Sequence, residues 1–130
     1  MKFSAFVFLA SGLAYLVWGL SVTITYGVGF GSVPMALFAA ALLYQAYDLF
    51  RNKPGAGWRG IISSSVIFMA AVYIASVFIL PGFPQILLEF PAEVWPVFGT
   101  AVIVSVAHAA VVVLLAVGKL RPNYVFNRTR

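Results

Sequence analysis

The chain has no cysteine and very few charged residues. Of its 130 residues only 8% are Asp, Glu, Lys or Arg, and a single histidine is present. Without cysteine, disulfides, thiolate metal sites and cysteine nucleophiles are excluded. A water-soluble domain of this length needs many more charges to cover its surface, so the composition also excludes an ordinary soluble domain.

Long apolar runs take the place of the missing charges. Hydrophobic residues make up 63% of the chain, and the mean hydropathy is +1.04. Four runs are long enough to cross the ~30 Å hydrocarbon core of a bilayer as helices. They are predicted at about 3–24, 33–50, 61–80 and 97–117, and Pro34 and Pro96 suit the first turns of two of them. We therefore predict one domain, residues 1–130, folded as an all-α integral membrane four-helix bundle.

The basic residues are distributed in a way that predicts an orientation. With four alternating spans, all eight Lys and Arg residues fall on one side, in the loop 51–60, in the tail 118–130 and at Lys2. The outer loop 81–96 has none. Cytoplasmic loops retain Lys and Arg, so we predict a multi-pass protein of the plasma membrane with both termini in the cytoplasm, an N-in/C-in topology.

The net charge of +5 is assigned to lipid rather than to nucleic acid, because the basic residues flank apolar spans. Anionic headgroups of membrane lipids are therefore expected partners. The residues predicted to contact them are Arg51, Lys53, Arg59, Lys119 and Arg121.

Small residues recur at four-residue spacing within the spans. Inside lipid, helices associate through small residues because these allow the backbones to approach closely. The residues predicted to pack helices together are Ala36, Ala40, Ala71, Ala75, Ala101, Ser105 and Ala109. They predict a compact bundle or an oligomer, so further partners are other membrane subunits or a second copy of this chain.

His108 is the only ionisable residue near the middle of a span. Such a residue should face a neighbouring helix, and it has two interpretations. In the first it is a neutral imidazole, hydrogen-bonded to a hydroxyl or a carbonyl of the bundle. In the second it is a proton relay, a haem ligand or a quinone contact. Haem and proton pathways usually need further ligands or ionisable groups, which the spans lack, so the first is favoured and no cofactor or metal is predicted.

The other polar residues do not form a catalytic site. Glu89 and Glu93 lack the further ligands that a cation requires and are interpreted as solvated charges. The serines at 63–65 lack a base and oxyanion donors. Asp48 and Arg51 are interpreted as an i,i+3 pair at a helix end. No catalytic residue is therefore predicted.

In length and number of spans the chain resembles the small multidrug exporters and the fluoride channels, which are dimers of four-helix subunits. The glutamate expected in the exporters' first helix is absent from residues 3–24, and the fluoride channels' glycine-arginine motif is absent as well. The resemblance is therefore confined to topology and assigns no family.

Three functions are compatible with these residues. The favoured one is a small, non-catalytic accessory or structural subunit of a larger membrane complex, of the respiratory or transport type, because the spans offer packing surface but no cofactor constellation. The alternative is a homo-oligomeric channel or carrier for a small solute, using polar side chains along a pathway: His108, Ser105, Thr100 and the serines at 63–65. The third is a redox subunit that binds haem or quinone through His108.

Overall fold

The computed structural model describes residues 2–29, 32–77 and 94–119, and all regular secondary structure within these ranges is helical. The helices are α1 (Lys2–Tyr26), α2 (Ser32–Phe50), α3 (Ala56–Val77) and α4 (Val94–Lys119). Each is long and apolar enough to cross a membrane. The predicted all-α class with four long apolar helices is confirmed.

The helices begin and end close to the predicted bounds, with one clear difference at α3. This helix begins at Ala56, five residues before the predicted start, because the chain reverses within residues 51–55. Asn52 adopts a left-handed conformation with φ of 50° and closes α2. The N–H of Asn52 donates to the carbonyl of Leu49, and the N–H of Lys53 donates to that of Asp48, which is the Schellman pattern. The predicted outer loop and basic tail lie largely outside the described residues.

The four helices form two antiparallel hairpins. In the first, the rings of Phe6 and Phe50 meet edge to face at 5.3 Å, and in the second His108 faces Ser64. Packing is extensive within each hairpin and narrower between them, where α1 meets α4 and α2 meets α3. This topology collects five cations, Lys2, Arg51, Lys53, Arg59 and Lys119, at one end of the bundle, here called the basic end.

The hydrophobic core lies mostly in the half of the bundle next to the basic end. Phe8 of α1, Leu49 of α2 and Leu115 of α4 are its largest fully buried apolar side chains. Ala46 of α2 and Ala56 of α3 belong to the same buried cluster. The small residues allow the hairpins to approach closely where the large side chains interlock.

The predicted packing residues divide into two groups by burial. Ala71, Ala75, Ala101 and Ser105 are buried and Ala109 is half-buried, whereas Ala36 and Ala40 lie on the exposed surface of α2. The alanine that α2 buries in this region is Ala39. A role of all seven in helix association stays a prediction.

A glycine sets the distance between α1 and α2. A Cβ added to Gly12 would lie 2.8 Å from both Cγ and Cδ2 of Leu43 and 3.2 Å from its backbone nitrogen. Leu43 cannot move away from that position by turning only the end of its side chain. Gly12 is therefore required by the close approach of the two helices.

Replacing Gly12 by alanine should lower the free energy of unfolding by about 1 kcal/mol. Overpacking costs about 1–3 kcal/mol, and the higher helix propensity of alanine returns ~1 kcal/mol. Gly99→Ala is the matched control, because a Cβ on Gly99 has open space around it. It should leave stability unchanged or raise it. Denaturation of both variants in detergent micelles measures this, and shifts of the same sign and size would contradict the close-approach explanation.

Candidate functional site

The most distinctive site of the described structure surrounds His108. Its side chain is fully buried, on a face of α4 that also buries Ser105, Val111 and Leu115. The ring of Phe8 meets the imidazole edge to face, with centroids 5.6 Å apart. The structure therefore places His108 inside the bundle, between α1, α3 and α4.

Both ring nitrogens of His108 have serine partners. Nε2 lies 3.1 Å from Oγ of Ser11 in α1, and Nδ1 lies 3.1 Å from Oγ of Ser64 in α3. A neutral imidazole has one donor and one acceptor nitrogen, and a hydroxyl can fill either role. One serine thus accepts a hydrogen bond from the imidazole while the other donates one to it. We call this arrangement the Ser11–His108–Ser64 chain.

The Ser11–His108–Ser64 chain contains a serine hydrogen-bonded to an imidazole, as in a catalytic nucleophile and base pair. Its other features do not suit catalysis. A serine nucleophile needs an oriented base, oxyanion donors and access for a substrate. The imidazole is fully buried, and its second nitrogen faces another serine rather than a carboxylate. Asp48, the one Asp or Glu in the part of the chain that the structure describes, is paired elsewhere. The hydrogen bonds of His108 suit a structural link between α1, α3 and α4.

Asp48 forms a second buried polar cluster at the basic end. Its side chain is fully buried, and Oδ2 accepts a hydrogen bond from Nη2 of Arg59 at 2.6 Å. Nζ of Lys53 lies 3.1 Å from Oδ1, an ion pair that is not aligned as a hydrogen bond. The predicted pairing of Asp48 with Arg51 is wrong. The guanidinium of Arg51 instead lies over the ring of Tyr47, at 5.7 Å.

The reversal of the chain after α2 explains why Asp48 pairs with Arg59 and Lys53 rather than with Arg51. Asp48 points into the bundle, and the short connection returns Lys53 and the first turns of α3 to it. The Asp48 carboxylate raises the pKa of Lys53 above its ordinary 10.5. The ammonium is therefore charged at neutral pH, and the ion pair is lost only as the pH rises above the ordinary lysine range.

One further bond ties α2 to α3. Nε2 of Gln45, a buried side chain, donates to the carbonyl of Ala56 at 2.7 Å. With the Asp48 cluster it joins the two hairpins beside the hydrophobic core. The hairpins are thus held by directed polar contacts as well as by apolar burial.

Four of the five predicted headgroup residues lie at the basic end. Lys53 sits 4.9 Å from the ring centroid of Tyr47, and Lys119 sits 4.1 Å from that of Trp58. Arg59 and Lys53 also contact Asp48, so their charge is partly compensated. Arg121 lies outside the described residues, as do Glu89 and Glu93. Contact of these cations with lipid headgroups stays a prediction.

The chain matches no protein-family model, no curated protein and no solved structure. Across residues 2–29, 32–77 and 94–119, no group of three or more His, Cys, Asp or Glu is arranged to hold a metal ion.

The structure places the residues of the predicted solute pathway in different surroundings, and the pathway itself stays a prediction. Ser64 joins His108, but the hydroxyl of Ser105 donates to the carbonyl of Ala101 at 2.7 Å within its own helix. Ser63 and Thr100 line two different cavities. Ser11, the partner of His108 on α1, is not among the residues predicted from the sequence.

The two cavities lie between the hairpins. The first, of about 430 Å³, extends from Tyr44 and Arg59 to Ile67 between α2 and α3. The second, of about 570 Å³, lies farther from the basic end, and its walls include Trp18 and Thr100. Three side chains border both: Phe38, Val66 and Ile67. We call the two cavities together the interhairpin groove.

Proposed function

We propose that this protein is a small, non-catalytic integral membrane protein that acts as an accessory or structural subunit of a larger membrane complex, of the respiratory or transport type. The observation that carries the proposal is the Ser11–His108–Ser64 chain. It uses both nitrogens of His108, which lies near the middle of α4, to join three helices. A residue so engaged contributes to a stable scaffold.

The same use of polar groups recurs at the basic end. The buried carboxylate of Asp48 is matched by Arg59 and Lys53, and the amide of Gln45 is matched by a backbone carbonyl. Polar groups matched with one another inside the bundle suit a structural protein, because catalysis needs groups that are free to meet a substrate.

We further propose that the helices cross the plasma membrane with the basic end in the cytoplasm, so that both termini are cytoplasmic. The fold supports this orientation by collecting Lys2, Lys119 and the cations of the α2–α3 connection at one end. Short cytoplasmic segments retain such residues.

The exposed face of α2 is the proposed surface for association. Ala36 and Ala40 point away from the other helices, so another membrane helix can approach the backbone of α2 there. Burying a small-residue face against a partner is how helices associate within lipid. The partner is a larger membrane subunit.

The test is gentle extraction of the tagged protein from its native membrane, followed by measurement of the mass and composition of its particle. We expect larger subunits to co-purify. Ala40→Phe should weaken their retention ~10-fold, the effect of ~1.4 kcal/mol of overpacking at the interface. Ala116→Phe, at an exposed alanine of α4, is the matched control and should leave retention unchanged.

Recovery of the protein alone as a stable particle would overturn the accessory role. If that particle were a homo-oligomer, the channel or carrier alternative would be tested next by solute flux through reconstituted vesicles. Equal effects of Ala40→Phe and Ala116→Phe would exclude the α2 face as the specific surface.

A further inference from the structure

We propose that the interhairpin groove binds one anionic phospholipid of the bilayer, with the headgroup at Arg59 and one acyl chain along Phe38, Val66 and Ile67. The inference rests on the proposed membrane insertion but not on the accessory role. Its basis is a cavity that is polar at the basic end, where Arg59 and Gln45 lie, and apolar farther in.

The charge around the mouth of the groove favours an anionic headgroup. Arg59 lines the first cavity, and Lys53 lies 5.7 Å from the ring centroid of Tyr44, which also lines it. Both cations face a single carboxylate, Asp48, and Arg51 lies in the same connection as Lys53. The net charge of these residues is therefore positive. Clusters of Lys and Arg at the membrane surface attract anionic lipids.

Arg59 has hydrogen-bond donors left for a phosphate. One terminal nitrogen, Nη2, is directed at Asp48, and the side chain keeps 49% of its accessible surface. A guanidinium carries five N–H donors and binds phosphate oxygens in pairs. The contact with Asp48 thus orients the guanidinium while leaving part of it to face the headgroup. Tyr44 lines the same cavity and is exposed.

The depth of the groove matches one leaflet. From Arg59 to Ile67 is eight helical residues, or ~12 Å, and half of a ~30 Å hydrocarbon core is ~15 Å. An acyl chain that starts at the headgroup level and follows α3 therefore ends near the middle of the membrane. The second cavity, beyond Val66, offers room for the chain end.

The width of the groove favours a lipid chain over a helix. A volume of 430 Å³ is available in the first cavity. Spread over ~12 Å, this volume is roughly 7 Å across, whereas a helix with its side chains is ~10 Å across. A hydrocarbon chain can lie inside this space, whereas a helix could only pack over its opening.

The experiment uses the full chain, purified in a non-ionic detergent and mixed with equal amounts of phosphatidylglycerol and phosphatidylcholine that carry identical acyl chains. Native mass spectrometry then counts the lipids that each protein retains. We expect one tightly retained lipid, with phosphatidylglycerol preferred about tenfold. The preference should decrease at high salt, because the mouth of the groove is partly exposed.

Val66→Trp tests the chain-binding part of the groove. The larger side chain should fill it and reduce retention of both lipids about tenfold. Val106→Trp is the matched control, because Val106 is exposed to 65% and Val66 to 62%. The antiparallel packing that sets Ser64 opposite His108 also puts these two valines at the same depth, and Val106 lies outside the groove walls.

The headgroup site is tested by Asp48→Asn combined with Arg59→Gln, which removes the guanidinium without changing the net charge. The preference for phosphatidylglycerol should decrease, because Arg59 is the cation that lines the cavity, while phosphatidylcholine is still retained. Lys2→Gln, which removes a charge elsewhere at the basic end, should leave the preference in place.

Two results would overturn the proposal. One is equal lipid retention by the Val66→Trp and Val106→Trp variants, and the other is the absence of any preference in the unmodified chain, a measurement that does not depend on whether a variant folds. If Val66→Trp released partner subunits while lipid retention persisted, the groove would belong to a protein partner. The accessory role would then stand and the lipid site would fall.

Discussion

Replacing His108 by alanine should lower the free energy of unfolding by about 3 kcal/mol. The imidazole is fully buried, so the substitution leaves a cavity among Phe8, Ser11 and Ser64. Truncating a large buried side chain costs 2–5 kcal/mol by lost packing, and an interhelical hydrogen bond in a membrane adds about 0.6 kcal/mol. Unfolding of the full chain in micelles, followed by helical circular dichroism, measures the loss.

Single serine variants separate the hydrogen bonds from the packing of the ring. Ser11→Ala and Ser64→Ala should each cost about 0.6 kcal/mol and at most ~1.7 kcal/mol, because each removes one bond and little volume. In the double variant the two losses of unfolding free energy should not be additive, since both hydrogen bonds are made to one imidazole. Val106→Ala, at an exposed site on the same helix, should change stability by less than ~0.5 kcal/mol.

A loss of activity without a loss of stability would assign His108 a functional role instead of a structural one. If His108→Ala left stability unchanged and abolished an activity of the protein or of its native membrane, the imidazole would be a functional group rather than a structural link between helices. The redox and proton-relay alternatives would then be the first to test, beginning with a search for a visible chromophore or a bound quinone in the purified particle.

Replacing Arg59 by alanine should cost about 2 kcal/mol. Asp48 is fully buried, and its Oδ2 would lose the 2.6 Å bond to the guanidinium. Removing one partner of a buried ion pair costs 3–5 kcal/mol. The smaller value is expected here because Lys53 still faces the carboxylate and Arg59 is half exposed. The measurement is the same denaturation in micelles.

Arg51→Ala is the matched control for this effect. Arg51 lies on the same connection but contacts the ring of Tyr47 rather than the carboxylate, so its loss should change stability by less than ~0.5 kcal/mol. The double variant Asp48→Asn with Arg59→Gln should recover part of the loss, because no unpaired charge stays buried. Equal costs for Arg51→Ala and Arg59→Ala would contradict the pairing seen in the structure.

The sequence of each segment predicted the helices correctly but misplaced the start of α3, where the chain reverses. Apolar length and the placement of Pro and Gly were enough for four helices, because these properties act within each segment. They placed residues 56–60 in a polar hairpin, whereas the structure includes them in α3. Asn52 makes the difference, since its left-handed conformation shortens the connection to five residues.

The pairings of the buried polar groups depend on contacts distant in sequence. Spacing along α4 was enough to expect His108 on a packed face, because a helix repeats every 3.6 residues. Its partner Ser11 lies 97 residues away. The only indication of this pair in the sequence is the depth of the two residues in the bundle. Ser11 is nine residues from Lys2 and His108 is eleven from Lys119, so both lie at a similar distance from the basic end. Depth alone does not choose which helices touch.

By itself, the sequence determined that this is an all-helical protein of four long apolar segments with its charges confined to their ends, because hydropathy and helical length are properties of each segment. Only the tertiary structure decided that Ser11 and Ser64 meet His108, that Asp48 pairs with Arg59 instead of Arg51, and that a groove opens between α2 and α3. The physical reason is that burying an unpaired polar group costs free energy, so its pairing depends on which partners the helix packing brings within hydrogen-bond distance.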